Sequence, residues 1–284
     1  MLSSLNITDC RENDPDTDIM MEYIGYLASI GIGVILGLLG GGGSILSIPI
    51  LVYLFHVDAI MASAYSLFIV GVTSFIGAIP KYNDHLVDIK TGAIFGIPSI
   101  AAIFIPRKWI VPAIPDIIFE LGGFTFSKRL LVLGLFAFLM IVASFSIILG
   151  RKEIQPEDHE SRIPLLVIEG LLIGFLTGLV GAGGGFLIIP ALVLLTGLPF
   201  KTAVGTSLFI IAVNSLLGFL GDMMNYNMEW KFLLSLTGLA IIGIFIGNKL
   251  QKKIPSERLR RYFGWLTFMM GIWILYKELM ISIH

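Results

Sequence analysis

Residues 37–49 read GLLGGGGSILSIP, and residues 178–190 read GLVGAGGGFLIIP. Each stretch lies inside an apolar run, where a membrane helix is expected and consecutive glycines are its poorest components. A glycine in a helix interior costs about 1 kcal/mol relative to alanine. The spacing therefore predicts that one helix stops at 40–43 and a second starts near Ser44, with the same break recurring before Gly185. As one helix, residues 22–55 would extend about 50 Å, well past a bilayer core of roughly 30 Å. Broken at the glycines, they form a hairpin whose tip lies inside the membrane. Such a break is tolerated only where protein or a water-filled cavity surrounds it. Close packing of helices is the plainer account of isolated glycines such as Gly31, Gly33 and Gly243. It does not account for a run of four glycines followed by Ser44 and Pro49.

The two stretches are related by a displacement of 178 − 37 = 141 positions. The same displacement sets Pro49 on Pro190, Ala62 on Ala203, SLFI at 66–69 on SLFI at 207–210, Ser74 on Ser215, Gly77 on Gly218 and Lys90 on Lys231. No gap is needed from 37 to 90, and about 20 of those positions are identical. Two homologous repeats follow, at 22–149 and 163–284. A cytoplasmic linker at 150–162 is expected to join them, and a polar, acidic tail at 1–21 to precede them.

Composition agrees with a membrane protein. Of 284 residues, 56% are hydrophobic and only 14% charged, against about a quarter charged in soluble domains. A net charge of −1 gives no support to a nucleic-acid partner. The single cysteine, Cys10, leaves no internal disulfide and no cysteine-based metal site, and no cofactor is expected. The N-terminus lacks the basic leader and apolar core of a signal peptide. The fold class expected is an all-α polytopic protein of the cell membrane. Each half combines a glycine-broken hairpin with about three full transmembrane helices, near 59–79, 89–106 and 129–149, then near 202–220, 231–249 and 262–281. The half-apolar joint 107–129 is expected along the membrane surface or partly re-entrant. Lys249, Lys252, Lys253, Arg258, Arg260 and Arg261 place the joint 249–261 in the cytoplasm. If the glycine segments are re-entrant, the halves are inverted and the N-terminus lies outside. If each crosses once, the halves are parallel. The distribution of Lys and Arg slightly favours inversion.

A helix that starts inside a membrane presents free backbone N–H groups and a positive dipole end, which suits an anion. The substrate-binding candidates are therefore Gly41, Gly42, Gly43 and Ser44 at one tip, and Gly183, Gly184 and Gly185 at the other. The following helices supply Ser66, Thr73 and Ser74 in the first half, and Thr206, Ser207, Asn214 and Ser215 in the second. Ser66 and Thr73 share a helix face, and Ser207 and Asn214 repeat that spacing. The plain alternative is that these side chains bond their own helix backbone. Discontinuous segments at corresponding places in two repeats mark the central site of a transporter. Glu169, inside the run 163–180, is the candidate for carrying a coupling proton, although its repeat counterpart is Ala28. Lys201 is expected to snorkel to the interface. Asp222 and Glu229 are expected in a solvated joint.

The pattern G-x-x-G-x-G-G-G-x-x-x-x-P in GLVGAGGGFLIIP, its variant GLLGGGGSILSIP, and the following PFKTAVGTSLFIIAVNSLLGFLGD resemble the TauE/SafE sulfite-exporter family. The resemblance covers the chain from about residue 22 onward. It implies transport of sulfur-containing anions such as sulfite or an organosulfonate; the partners expected are a small anionic substrate and the lipid bilayer. The first copy departs from the second, with Ser44 in place of Gly185 and IMASAYS in place of KTAVGTS.

Enzymes find little support. An intramembrane protease needs a Ser–His pair or two aspartates at membrane depth, and His56, His85, His159 and His284 all fall at or near joints or the terminus. A GxxxxGK[ST] phosphate loop is absent. An anion channel and a non-transporting membrane subunit stay open as alternatives, as do the oligomeric state, the coupling ion and the direction of transport.

Overall fold

The structure, a computed structural model, describes residues 15–41, 43–121, 124–149, 163–181 and 183–283. Gly42, the tail residues 1–14 and the linker 150–162 lie outside the described residues. The tail expected at 1–21 is helical from Pro15 onward.

Chain order reads α1 (Pro15–Leu39), α2 (Gly43–Tyr53), α3 (Ala59–Asn83) and α4 (Ile89–Ile105). A π-helical turn at Pro106–Ile110 and the single turn α5 (Val111–Ala113) prolong α4. Strands β1 (Ile117–Leu121) and β2 (Phe124–Ser127) lead into α6 (Lys128–Leu149). The second half contains α7 (Ile163–Val180), α8 (Gly185–Thr196), α9 (Phe200–Met223), α10 (Trp230–Gln251) and α11 (Ser256–Ile283). Both glycine stretches break the helix where the sequence predicts. Among the described residues, six helices are long and apolar enough to cross a membrane. The protein is a multi-pass integral membrane protein. Leu27, Phe138, Leu172, Phe245 and Met269 stand exposed on outer faces, where a bilayer rather than water is their compatible solvent.

The joint 107–129 divides into two parts. Its first part continues α4 through the π turn. The rest is an antiparallel hairpin, with Phe119 stacked on Phe126 at 5.0 Å between ring centres and a bulge between Ile117 and Phe119. Phe, Ile and Thr at 117–119 and 124–126 suit paired strands. This hairpin is the only sheet among the described residues.

α1 packs along α10 and α4 along α7. Glycines make both contacts close. A side chain on Gly33 or Gly37 would strike the carbonyls of Ala240 and Ile244, and one on Gly174 or Gly178 would strike those of Ser99 and Ile103. The two seams differ by the sequence displacement itself, since 33 + 141 = 174 and 99 + 141 = 240. α3 packs on α9, and α6 on α11.

Polar contacts fix the direction of each helix. Tyr65, early in α3, accepts a hydrogen bond from Glu229 N just before α10. Asp84, just past α3, pairs with Lys252, just past α10, at 2.7 Å. Lys252 thereby holds the Asp84 carboxyl below the usual carboxylate range. α3 and α10 therefore run the same way. α9 runs against α3: Asp88, beyond the end of α3, donates its N–H to Thr206 at the start of α9 (2.9 Å). Gly71 faces Leu216 midway. The bundle thus has two ends. One carries the starts of α3 and α10 and the end of α9; the other carries Lys252, Asp84 and the start of α9. α2 turns back along α1, for Phe55 just beyond it packs on Gly25 and Tyr26. Eleven residues of α2 rise only about 17 Å, roughly half the bilayer core.

Candidate functional site

The two hairpin tips meet. A Cβ on Gly41 would overlap the backbone of Gly185, and one on Gly185 would overlap Gly41 Cα. No other residue type permits so close a backbone approach. Gly40 and Gly181, where the chain leaves α1 and α7, have φ of +72° and +80°, the left-handed region that glycine enters without cost. Ser44 Oγ donates to Gly41 O at 2.8 Å and tightens the first tip. Gly43 lies against Leu36 of α1, and Gly184 against Thr177 of α7.

α3 and α9 flank this contact and distribute the other candidates unequally. Ser66 is paired with Ser47 of α2 at 2.5 Å, and Thr73 donates to Ile69 O in its own helix (2.5 Å). Ser207 donates to Val204 O at 2.8 Å and approaches Gly40 O at 3.4 Å. Thr206 lies away from the tips, bonded to Asp88 N at the second end of the bundle. Thr73 is therefore accounted for by its own backbone, while Ser207 also touches a tip.

Ser74, Asn214 and Ser215 behave differently. All are buried, and Ser74 Oγ, Ser215 Oγ and Asn214 Oδ1 have no hydrogen-bond partner. Asn214 Nδ2 donates to Ser99 Oγ of α4 (2.5 Å), which fixes the amide and leaves its oxygen over. A Cβ on Gly183 would fall 2.5 Å from Ser215 Oγ, so that hydroxyl abuts the second tip. A buried polar group without a partner costs about 1–3 kcal/mol. Three of them on the helices that flank the tips, with Ser215 against the second tip, suit a polar ligand that binds and leaves.

The largest correction concerns charge. Asp222, expected in solvent, is fully buried in the last turn of α9. Its Oδ2 accepts from Arg107 Nη1 at 3.1 Å. Arg107, on the π turn, is also fully buried, and Nη1 donates to Ser63 Oγ (2.9 Å). Its guanidinium fills the space that a side chain on Gly181 would need. Burial, and then the Asp222 charge, push the nearby Tyr226 phenol above its ordinary value.

The corresponding positions in the other half are found by the same displacement: 222 − 141 = 81 and 107 + 141 = 248. Lys81 is buried at the other end of the bundle and makes no ion pair among the described residues. Asn248 donates to Gly77 O at 3.3 Å, and its Oδ1 has no partner. None of these four residues was singled out as a site residue. One available signal was IFI at 103–105 falling on IFI at 244–246, with Lys108 on Lys249. It places Arg107 within a continuing helix rather than in a joint.

Glu169 is half-buried in α7, and its Oε2 has no partner. Its neighbour Gly170 packs on Phe95 of α4. Lys201 is half-buried at the start of α9.

Residues 26–274 match the family described as Sulfite exporter TauE/SafE. A probable membrane transporter protein of Xylella fastidiosa (strain Temecula1) is 27% identical, over 87% of this chain and 92% of its own. YunE of Bacillus subtilis, also described as a probable membrane transporter protein, is 25% identical over 91% of this chain and 97% of its own. YdhB of the same organism, with the same description, is 35% identical over 40% of this chain and 46% of its own. No solved structure matches the chain.

Proposed function

Since the chain belongs to the sulfite exporter TauE/SafE family of membrane transporters, we propose that it is a secondary transporter of small sulfur-containing oxyanions, of the sulfite or organosulfonate class. The observation that carries this is the meeting of Gly41 and Gly185, with the buried, partnerless hydroxyl of Ser215 against the second tip. Hydroxyls donate to an oxyanion, and glycine tips let it approach the backbone. Backbone contact between the tips closes the path there, which favours alternating access over a permanent channel. The opposed directions of α3 and α9, and the matching seams of α1 with α10 and α4 with α7, support inverted halves. With the basic joint 249–261 in the cytoplasm, the end bearing Arg107 and Asp222 then faces outward.

Sulfite flux into proteoliposomes of the purified protein, with and without an imposed pH gradient, tests the proposal. Saturable uptake is expected. Flux that rises linearly without saturation would indicate a channel, and none with sulfite or a simple organosulfonate would overturn the substrate class. Glu169 is the proton carrier proposed. Glu169→Gln should leave downhill flux intact and abolish accumulation driven by the pH gradient; gradient-driven accumulation in that variant would remove Glu169 from the mechanism.

The partnerless hydroxyls give a second test. In Ser215→Ala, the folded protein loses a group that burial penalises, so its melting temperature should stay level or rise. The apparent affinity for the anion should fall roughly 10-fold or more, the weight of a hydrogen bond to a charged ligand. Unchanged affinity would place Ser215 outside the site.

A further inference from the structure

The buried pair Arg107–Asp222 is incompletely made, and it leaves donors over. A guanidinium offers five N–H donors. Here Nη1 spends its two on Asp222 Oδ2 and Ser63 Oγ. Nε and Nη2 have no partner, though both are buried. The Nε–Nη2 edge presents two parallel N–H groups, the arrangement that grips two oxygens of one anion. Asp222 does not use it: it meets Nη1 through one oxygen, and its Oδ1 is itself partnerless. The unengaged side of the guanidinium lies against Gly181, where α7 ends at the second tip. A π turn carries Arg107 there, a backbone form that is rare and concentrated at functional places.

Stability does not explain this arrangement. Replacing a buried ion pair with packed apolar side chains is often neutral or stabilising. Nor does Asp222 saturate its partner, as a purely structural counterion would.

We propose that Arg107 is a substrate-binding residue, taking the transported oxyanion on its Nε–Nη2 edge at the second glycine tip, with Asp222 on Nη1 as the internal carboxylate that partly neutralises it. As the binder of a transported anion, Arg107 presupposes the transport function proposed above. The chemistry favours an anion with at least two oxygens on one centre, such as sulfite, a sulfonate or sulfate, and disfavours a halide. Asp222 sets the affinity through its charge. While it holds Nη1, the guanidinium is partly neutralised; once it turns away, the full charge faces the ligand. The corresponding position in the other half holds Asn248, so this grip exists at one end of the bundle only.

The experiment is a melting curve of the purified full-length protein in detergent, titrated with sodium sulfite or sodium sulfate against sodium chloride at equal ionic strength. In Asp222→Asn, the oxyanion should meet the unneutralised guanidinium. Its stabilising shift should exceed the wild-type shift, with half-saturation about tenfold lower. Chloride should not reproduce it. Arg107→Gln alone leaves Asp222 buried without its cation and risks misfolding. The double variant Arg107→Gln with Asp222→Asn removes both charges; it should fold and show no oxyanion-specific shift. A shift retained in the double variant, or a half-saturation in Asp222→Asn equal to that of wild type, overturns the proposal. Wild-type flux in proteoliposomes keeps the two ideas apart. Saturable flux that persists unchanged in the double variant overturns Arg107's role and leaves the transporter. An oxyanion-specific shift without flux in the wild type retains the Arg107 site and overturns transport.

Discussion

Gly185→Ala is expected to reduce flux at least about fivefold in a protein that still folds. The residue is the first of α8 and its φ is not positive, so alanine imposes no backbone strain and improves helix propensity by about 1 kcal/mol. The harm is confined to one methyl group. It would overlap Gly41 and come 2.6 Å from Ile211 Cδ1. Overpacking of this kind costs about 1–3 kcal/mol, applied only to states in which the tips touch. A cycle that brings the tips together and apart would have its conformational balance shifted by about that free energy, or about 5–150-fold. Gly238→Ala is the control, since nothing lies within 4 Å of its added Cβ, and flux should be unchanged. If Gly185→Ala transports normally, tip contact is not part of the cycle. Leucine at Gly43 or Gly184 makes a coarser test. At Gly43 the added carbon would stand 2.6 Å from Leu36 Cβ, and Gly184 has φ +75°, so either variant damages folding before it reports on transport.

Loss of one member of the Arg107–Asp222 pair should cost the fold more than any other single charge removal. Both side chains are fully buried. Arg107→Leu strands a carboxylate, and Asp222→Leu strands a guanidinium. Breaking such a pair from one side typically costs about 3–5 kcal/mol. Removing both charges should cost much less than the two single losses combined, because neither charge remains unpaired. A double-mutant cycle on unfolding in detergent measures the difference. The paired Lys252–Asp84 at the other end lies at the surface, where ion pairs contribute about 0–1 kcal/mol; Lys252→Ala should be nearly silent. Additive losses at Arg107 and Asp222 would mean that the two charges do not depend on each other.

The difference between these pairs also explains what the sequence made legible. Glycine and proline act locally: four glycines end a helix wherever they stand, so both breaks and the starts of α2 and α8 could be located from composition alone. Homology within the chain made the second break interpretable through the first. Charges at the ends of apolar runs carry no such local meaning. Arg107 and Asp222 look like residues reaching for solvent, and only their meeting across 115 positions permits their burial. The same holds for the small polar residues. Thr73 and Ser74 are neighbours of similar chemistry, yet Thr73 bonds its own helix while Ser74 Oγ has no partner. That depends on which helix face meets α9 and the tips, which spacing narrowed but could not decide. The hairpin at 117–127 was missed because a half-apolar joint beside a membrane suits several backbones equally.

Lys81 stands where the other half has Asp222, and Asn248 where it has Arg107. The displaced positions therefore disagree in charge. A molecule inserted upside down in a vesicle is not equivalent to one inserted the right way up, because one end buries an ammonium near the Asp84–Lys252 pair and the other buries a neutralised pair. Randomly oriented reconstitutions will contain two unlike carriers, and their uptake curves will be sums of two components. Rate constants become interpretable only after sidedness is fixed, for instance by protease access to the basic joint 249–261. The difference between its two ends is then a property of four side chains.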